Sequence, residues 1–462
     1  MPQIITTDLT ASANYTVATT VADDFIFVAE GALVSNTSPS SPAYAAIGVF
    51  HNSNRVGVAG TLLSGASPTV YSTASDTTVS VTQTGAIISL ASTSFWPTIQ
   101  FSAAGARVFN NGQITGHYAA IFSSQTDAAV FNTGLISGVT FGVSGATRVE
   151  NSGTIRGATA VYTGGLNDVV LNSGTLFGNV LLGLGNDTFD TIGGMIVGSV
   201  YDDGGDDLYR TDSAILSIVE LVAGGTDRIE STVDFDLSIA ANVENLTLLG
   251  NAVLGAGNTL ANILTGNFRD NVLGGGGGDD KLDGGTGNDS LRGDTGNDLV
   301  LGGDGDDLLR GGSGADTIFG GAGDDTVWGD VLGDRLYGDD GEDMMIGGAA
   351  RDFLYGGPDG DTFVFRAVAD SAAGAAGRDV IFVFEPGLDL IDLTRIDANA
   401  NLVGNQAFTF IGTGAFTSVA GQLRTVLGVN SMLQADVNGD GVADFELQLN
   451  GIATVSVNDI LL

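Results

Sequence analysis

From Gly275 the chain reads GGGGDDKLD (275–283), GGTGNDSLR (284–292), GDTGNDLVL (293–301), GGDGDDLLR (302–310), GGSGADTIF (311–319), GGAGDDTVW (320–328), GDVLGDRLY (329–337), GDDGEDMMI (338–346), GGAARDFLY (347–355) and GGPDGDTFV (356–364). An aspartate recurs every nine residues, at Asp280, Asp289, Asp298, Asp307, Asp316, Asp325, Asp334, Asp343, Asp352 and Asp361, and an apolar residue follows each two positions later, from Leu282 to Phe363. A fixed period of this kind marks units that bury their apolar face only against their neighbours, as in a solenoid. The glycine-rich half lets the backbone turn tightly and aim carbonyls inward, and the second half is a short strand whose apolar side chain enters the core.

Two nonapeptides then close one turn of a right-handed parallel β-roll. That spacing stacks Asp280, Asp298, Asp316, Asp334 and Asp352 along one edge, and Asp289, Asp307, Asp325, Asp343 and Asp361 along the other. Turns lie about 4.8 Å apart, and carboxylates that close remain ionised together only with a cation between them. Calcium, a hard ion with flexible coordination by about six to eight oxygens, suits such a row better than magnesium. The neighbour pairs along the two edges predict roughly eight ions, fewer where Leu332, Ala350 and Asp359 replace the second-half glycine.

Composition agrees with a cation-binding chain. Of 462 residues, 71 are Gly and 54 are Asp or Glu against 16 Lys or Arg, a formal net charge of -38. Such a chain repels nucleic acid and anionic membrane surfaces, and repels itself when compact. There is no Cys, hence no disulfide or thiolate metal site, and no run of about 18 apolar residues that would span a bilayer. The start, Met1-Pro2-Gln3-Ile4-Ile5, lacks the basic and apolar regions of a cleavable signal, so export by that route is not expected.

The nonapeptides resemble the RTX family, whose GGxGxDxUx repeats bind calcium in a parallel β-roll. The following stretch, from Asp361-Thr362-Phe363-Val364-Phe365 through ADVNGDGVADFELQLNG, is similar to the C-terminal region of serralysin-type metalloproteases. That resemblance implies a β-sandwich-like cap carrying a type I secretion signal, with Asn458-Asp459-Ile460-Leu461-Leu462 as the secretion tail, and a secreted or surface protein of a Gram-negative bacterium. The protease half is missing: no HExxH occurs, and the two histidines, His51 and His117, are far apart. Asp436, Asn438, Asp440, Gly441 and Asp444 space oxygens like the start of an EF-hand, but Leu447 stands where the bidentate Glu belongs, which leaves a capped acidic turn as the alternative.

Ahead of the roll a second repeat appears, in GALVS at Gly31, GTLLS at Gly60, GAIIS at Gly85, GQITG at Gly112, GLISG at Gly134, GTIRG at Gly153, GTLFG at Gly174 and GMIVG at Gly194. Intervals of twenty to thirty residues are the length of one β-helix coil. Asn110, Asn132, Asn151 and Asn172 precede the glycines and predict a structural asparagine ladder at one corner. Asp168, Asp187, Asp207 and Asp227 form another column, with Asp187, Asp207 and Asp227 as weaker calcium ligands. Arg107 and Arg148 fall at equivalent places two coils apart, an exposed rung, and Phe95, Trp96 and Pro97 form an aromatic knot read as coil packing.

The expected organisation is an N-terminal segment or cap (1–22), a β-helix-like solenoid (23–261), the roll (262–365) and the cap with its secretion signal (366–462). The expected function is a calcium-binding protein that folds outside the cell, structural, filament-forming or adhesive, with self-association or a surface polysaccharide as partner. The alternative is an alginate epimerase- or lyase-like enzyme, since β-helices with RTX tails resemble such proteins. That chemistry calls for a His, Tyr, Lys or Arg acid–base set in a groove, whereas Lys281 is the only lysine and lies in the roll. No catalytic residue is assigned.

Overall fold

The structure, a computed structural model, describes residues 25–36, 46–65, 68–90 and 95–462 apart from Thr126, Ala223 and Ala453, together with short strands at Gln3–Ile5, Leu9–Ala11 and Val17–Ala18. The chain is all-β and forms parallel solenoid turns, with three short 3-10 turns the only helical elements among the described residues. It divides into two compact units, Met1–Glu230 with Ile239–Val243, and Ser231–Ser238 with Glu244–Leu462.

In the first unit the strands pair in parallel, coil upon coil. One coil supplies Arg107–Asn110, Gln113–Thr115 and Ala119–Ser123, and the next places Ala128–Asn132, Leu135–Ser137 and Phe141–Ser144 beside them. For six of the repeat glycines, from Gly60 to Gly174, the apolar residue two positions on falls in one buried column: Leu62, Ile87, Ile114, Ile136, Ile155 and Leu176 are in register and 0% exposed. Full burial of such a side chain contributes about 1.5–3 kcal/mol, which is why the glycine-to-apolar spacing persists while coil length drifts. The described strands before residue 22 already belong to this stack, since Gln3–Ile5 pairs with Phe25–Val28 and Leu9–Ala11 with Leu33–Asn36. Arg107 and Arg148 share one column through Ala129, both exposed, and Arg148 is ion-paired with Glu150 at 2.7 Å. Phe95 is exposed and packs edge-on against Tyr118.

In the second unit successive nonapeptides go alternately to two parallel sheets. One runs through Lys281–Thr286, Leu299–Asp304, Thr317–Ala322 and Arg335–Asp340, and the other through Ser290–Thr295, Leu308–Ser313, Thr326–Val331 and Met344–Ala349. The period-nine apolar residues form the interior. Leu282, Val300, Ile318, Leu336 and Leu354 stack on one side, Leu291, Leu309, Val327, Met345 and Phe363 on the other, and all are buried.

Both sheets continue past the repeats. Asp379–Phe382 and then Phe445–Asn450 extend the first in parallel, while Leu390–Asp392 and finally Ile460–Leu461 extend the second. An antiparallel meander of Gln422–Val426, Ser431–Asp436 and Phe445–Asn450 adds the remaining layer. The chain's last residues therefore close a rung, with Asp459 buried and accepting from the Gly387 and Ser456 amides.

Candidate metal centre

Each period-nine aspartate sits where a strand begins, at an edge of the roll, and each is at most 3% exposed. One carboxylate oxygen has a defined task. The backbone N–H of Asp298 donates to Asp316 Oδ1 one turn on, that of Asp316 to Asp334 Oδ1, and that of Asp334 to Asp352 Oδ1, each at 2.8 Å. Along the other edge Asp289 donates to Asp307, Asp307 to Asp325, Asp325 to Asp343 and Asp343 to Asp361, at 2.7–3.1 Å. Thus two separate columns form, divided between the edges as the spacing predicts.

The other oxygen has no such task. In all the period-nine aspartates from Asp280 to Asp361, Oδ2 is buried without a hydrogen-bond partner. Placement of Oδ2 explains the first glycine of each unit: a Cβ on Gly311 would overlap Asp316 Oδ2, and one on Gly320 would overlap Asp325 Oδ2. A buried, unpartnered carboxylate oxygen is costly. Burial accordingly pushes these carboxyls up, Asp289 to about 6, Asp280 and Asp325 to about 7, Asp334 and Asp361 to about 8, with the stacked neighbours adding to the rise at Asp334 and Asp361. A column of hard, desolvated oxygens with one coordination direction open per rung fits a calcium ion.

The columns are longer than the repeat. Upstream, Asn262 and Asn271 take the same place, their amides donating to Asp280 and Asp289 Oδ1 at 2.6 Å. Downstream, the Asp352 amide donates to Asp379 Oδ1 at 2.8 Å and the Asp361 amide to Asp389 Oδ1 at 3.0 Å. These last two intervals are 27 and 28 residues rather than 18, so a fixed period passes over them. The signal that finds them is local, since Asp379-Val380-Ile381 and Asp389-Leu390-Ile391 repeat the aspartate followed two later by a buried apolar residue. Leu332, Ala350 and Asp359 do not interrupt either column; each adopts the left-handed backbone of the glycine it replaces, with φ of 72°, 96° and 79°.

The first unit repeats the arrangement at longer intervals. The Asp168 amide donates to Asp187 Oδ1, that of Asp187 to Asp207 Oδ1, and that of Asp207 to Asp227 Oδ1. Two acids that the sequence reading passed over, Asp202 and Glu220, are buried beside this column. The loop at Asp436 differs. Asp436 accepts from the Gly439 and Gly441 amides, Asp440 from Val442, and Asp444 from Val437, while Asn438 accepts from Asp440 and donates to Asp444. Its oxygens are turned onto the loop's own donors, the geometry of a capped acidic turn. His51 and His117 are both exposed.

Residues 257–291, 265–300, 301–332 and 328–363 match the family described as the RTX calcium-binding nonapeptide repeat. Over 93 residues, 20% of its length, the chain is 44% identical to the metallopeptidase AprA of Pseudomonas marginalis, and it spans only 18% of that relative. Two solved structures also align, both subunits of the Azotobacter vinelandii mannuronan C5-epimerase. AlgE6R3 is 29% identical over 33% of this chain and 78% of its own, with a TM-score of 0.25; AlgE6R2 is 30% identical over 36% and 92%, with a TM-score of 0.23. The chain therefore carries RTX calcium-binding repeats and shares a segment with a serralysin-type protein.

Proposed function

We propose that this calcium-binding repeat protein is exported unfolded and folds outside the cell when calcium fills its aspartate columns. The observation that carries the reading is the row of buried Oδ2 atoms with no partner from Asp280 to Asp361. The same residues do two jobs: Oδ1 ties each turn to the one before it, and Oδ2 is left for an ion shared along the column. Bound calcium supplies positive charge between rungs; the side chains orient it, and the adjoining glycine leaves room for the carboxylate. In a calcium-poor cytosol the net charge of -38 and the desolvated aspartates oppose the roll. Extracellular modules of this chemistry bind calcium at about 10⁻⁴ to 10⁻³ M, so binding and folding coincide after export.

Roughly eight ions would occupy the nonapeptide region. On this reading the route is a type I apparatus engaging the C-terminal segment, and the destination is the medium or surface of a Gram-negative cell. The folded protein then serves as a structural, filament-forming or adhesive element, through self-association or contact with surface polysaccharide. Family evidence points to a repeat protein, with no catalytic role assigned to any residue. Circular dichroism during calcium titration of chelated protein tests the core of this reading. Signal for β-structure should rise cooperatively with calcium, and an unchanged spectrum in chelator would overturn it.

A further inference from the structure

Outside the nonapeptides, the first unit carries a carboxylate cluster of a different construction. In two of its later coils an inward-facing column changes character. Strand register pairs Tyr162 with Leu181, Leu181 with Tyr201, and Tyr201 with Val219, and the residue that follows in each coil is in turn Thr163, Leu182, Asp202 and Glu220. Leu182 is 0% exposed, Asp202 2% and Glu220 7%. A site that one coil gives to leucine is thus given to acids by the next two.

Beside them stands the aspartate column of Asp187, Asp207 and Asp227. Among the described residues, Asp187, Asp202 and Asp207 bring one oxygen each within 4.8 Å of one another, as do Asp207, Glu220 and Asp227. Asp187 Oδ2, Asp207 Oδ2 and Glu220 Oε2 are buried with no hydrogen-bond partner. Tyr209, fully buried, places its hydroxyl 3.0 Å from Asp202 Oδ2 and in contact with Glu220 Oε1. One hydroxyl proton cannot serve two carboxylates, so with both ionised a lone pair faces a negative charge. The arginines of this region are engaged elsewhere, Arg210 with Asp190 and Glu230, and Arg228 with Glu230.

We propose that Asp187, Asp202 and Asp207, with Glu220 on the adjoining rung, form a cation site for calcium inside the first unit, independent of the RTX columns. The donors are all hard oxygens, and ligands held at about 2.3–2.6 Å from one ion lie within about 5 Å of each other, as those of Asp187, Asp202 and Asp207 do, with Glu220 that close to Asp207. Unlike the roll, where one aspartate per rung faces the next, the inward acids here add a second carboxylate per rung. Tyr209 is a positioning residue, holding Asp202 and Glu220 toward the same space.

The experiment is a metal count on full-length protein after equilibrium dialysis against saturating calcium. Asp202→Asn combined with Glu220→Gln, both near-isosteric, should bind at least one ion fewer per chain, while Asp316→Asn in the roll lowers the count whether or not the first-unit site exists. That separates failure of this site from failure of the calcium-folding reading. Terbium luminescence excited through tyrosine is the second arm: Tyr209→Phe should lower the sensitised emission. If the double variant loses its fold, this arm decides alone. An unchanged count in the double variant, or unchanged emission in Tyr209→Phe, would overturn the proposal and leave a cluster neutralised by shared protons.

Discussion

At one corner of the first unit the turns are tied by asparagines, and at the edges of the roll by aspartates. Both side chains solve the same problem, which is to link a buried corner to its copy one turn away. Asn110 donates from Nδ2 to Asn132 Oδ1, Asn132 to Asn151, and Asn151 to Asn172, each at 2.7 Å. The same Nδ2 atoms of Asn110 and Asn132 also reach the Leu135 and Thr154 carbonyls. Amides are self-complementary, donor to acceptor, so that ladder closes without help. An aspartate column cannot close in that way: Oδ1 accepts a backbone amide, and Oδ2 meets no donor. The lesson is that the two ladders differ in what they require from solution, and that difference is open to measurement.

The largest expected effect is that of a chelator. Hydrogen exchange in excess EDTA should leave amides of the asparagine-ladder coils, residues 107–175, protected while those of residues 281–349 exchange freely. Equal protection of both regions would remove the distinction between the ladders.

Next in size is the pH response. Folding raises the carboxyls of the cation-free roll from 3.8 to about 6 at Asp289, Asp307 and Asp343 and to about 8 at Asp334 and Asp361, chiefly by burial. The folded form then holds more protons than the unfolded one, so its stability is fully present below about pH 4 and is lost as pH rises through 6 to 8. In calcium-stripped protein, the circular-dichroism signal of the roll should return as pH falls. With calcium present the sign reverses, because protons displace the ion. Matching slopes in the two media would show that the columns hold no ion.

Single substitutions come third. Asn132→Ala strips the partners from Asn110 and Asn151 and should cost about 1–3 kcal/mol, equally with and without calcium. Asp316→Ala leaves the Asp298 amide unpaired and should cost a similar amount in calcium. Asp316→Asn retains the acceptor for that amide, so it should bind less calcium and yet be less dependent on it. Urea midpoints in calcium for all three variants, in EDTA for Asn132→Ala, and calcium titrations of folding for the two Asp316 variants test the pattern.

How far the molecule was legible from its sequence follows the same division. Columns made of one residue type at a steady interval, such as the aspartates from Asp280 to Asp361 or the asparagines from Asn110 to Asn172, could be read directly because each rung repeats one local demand. Asp379 and Asp389 escaped because the chain between rungs lengthens there while the three-residue pattern stays. Asp202 and Glu220 escaped for a deeper reason: their column runs Thr163, Leu182, Asp202, Glu220, and no single residue type marks it. Only the strand register reveals that these side chains share a place.

The smallest expected effect lies where the roll departs from its own pattern. Leu332 holds φ at 72° in a turn that most rungs build on glycine, as at Gly323 with φ of 130°, and it is 59% exposed. A left-handed conformation costs a residue with a Cβ roughly 1–2 kcal/mol, while glycine in its place loses about 0.5–1 kcal/mol through the freedom of the unfolded chain. Leu332→Gly should therefore stabilise the roll by at most about 1.5 kcal/mol, with little apolar burial lost. Since Asp334 still accepts from the Asp316 amide two residues further on, the change should leave the calcium count unaltered. A thermal melt of the variant in saturating calcium reads the first expectation and a metal count the second. A lower midpoint would mean that Leu332 contributes a contact worth more than its backbone strain, and that this turn has been tuned as a distinct part of the column.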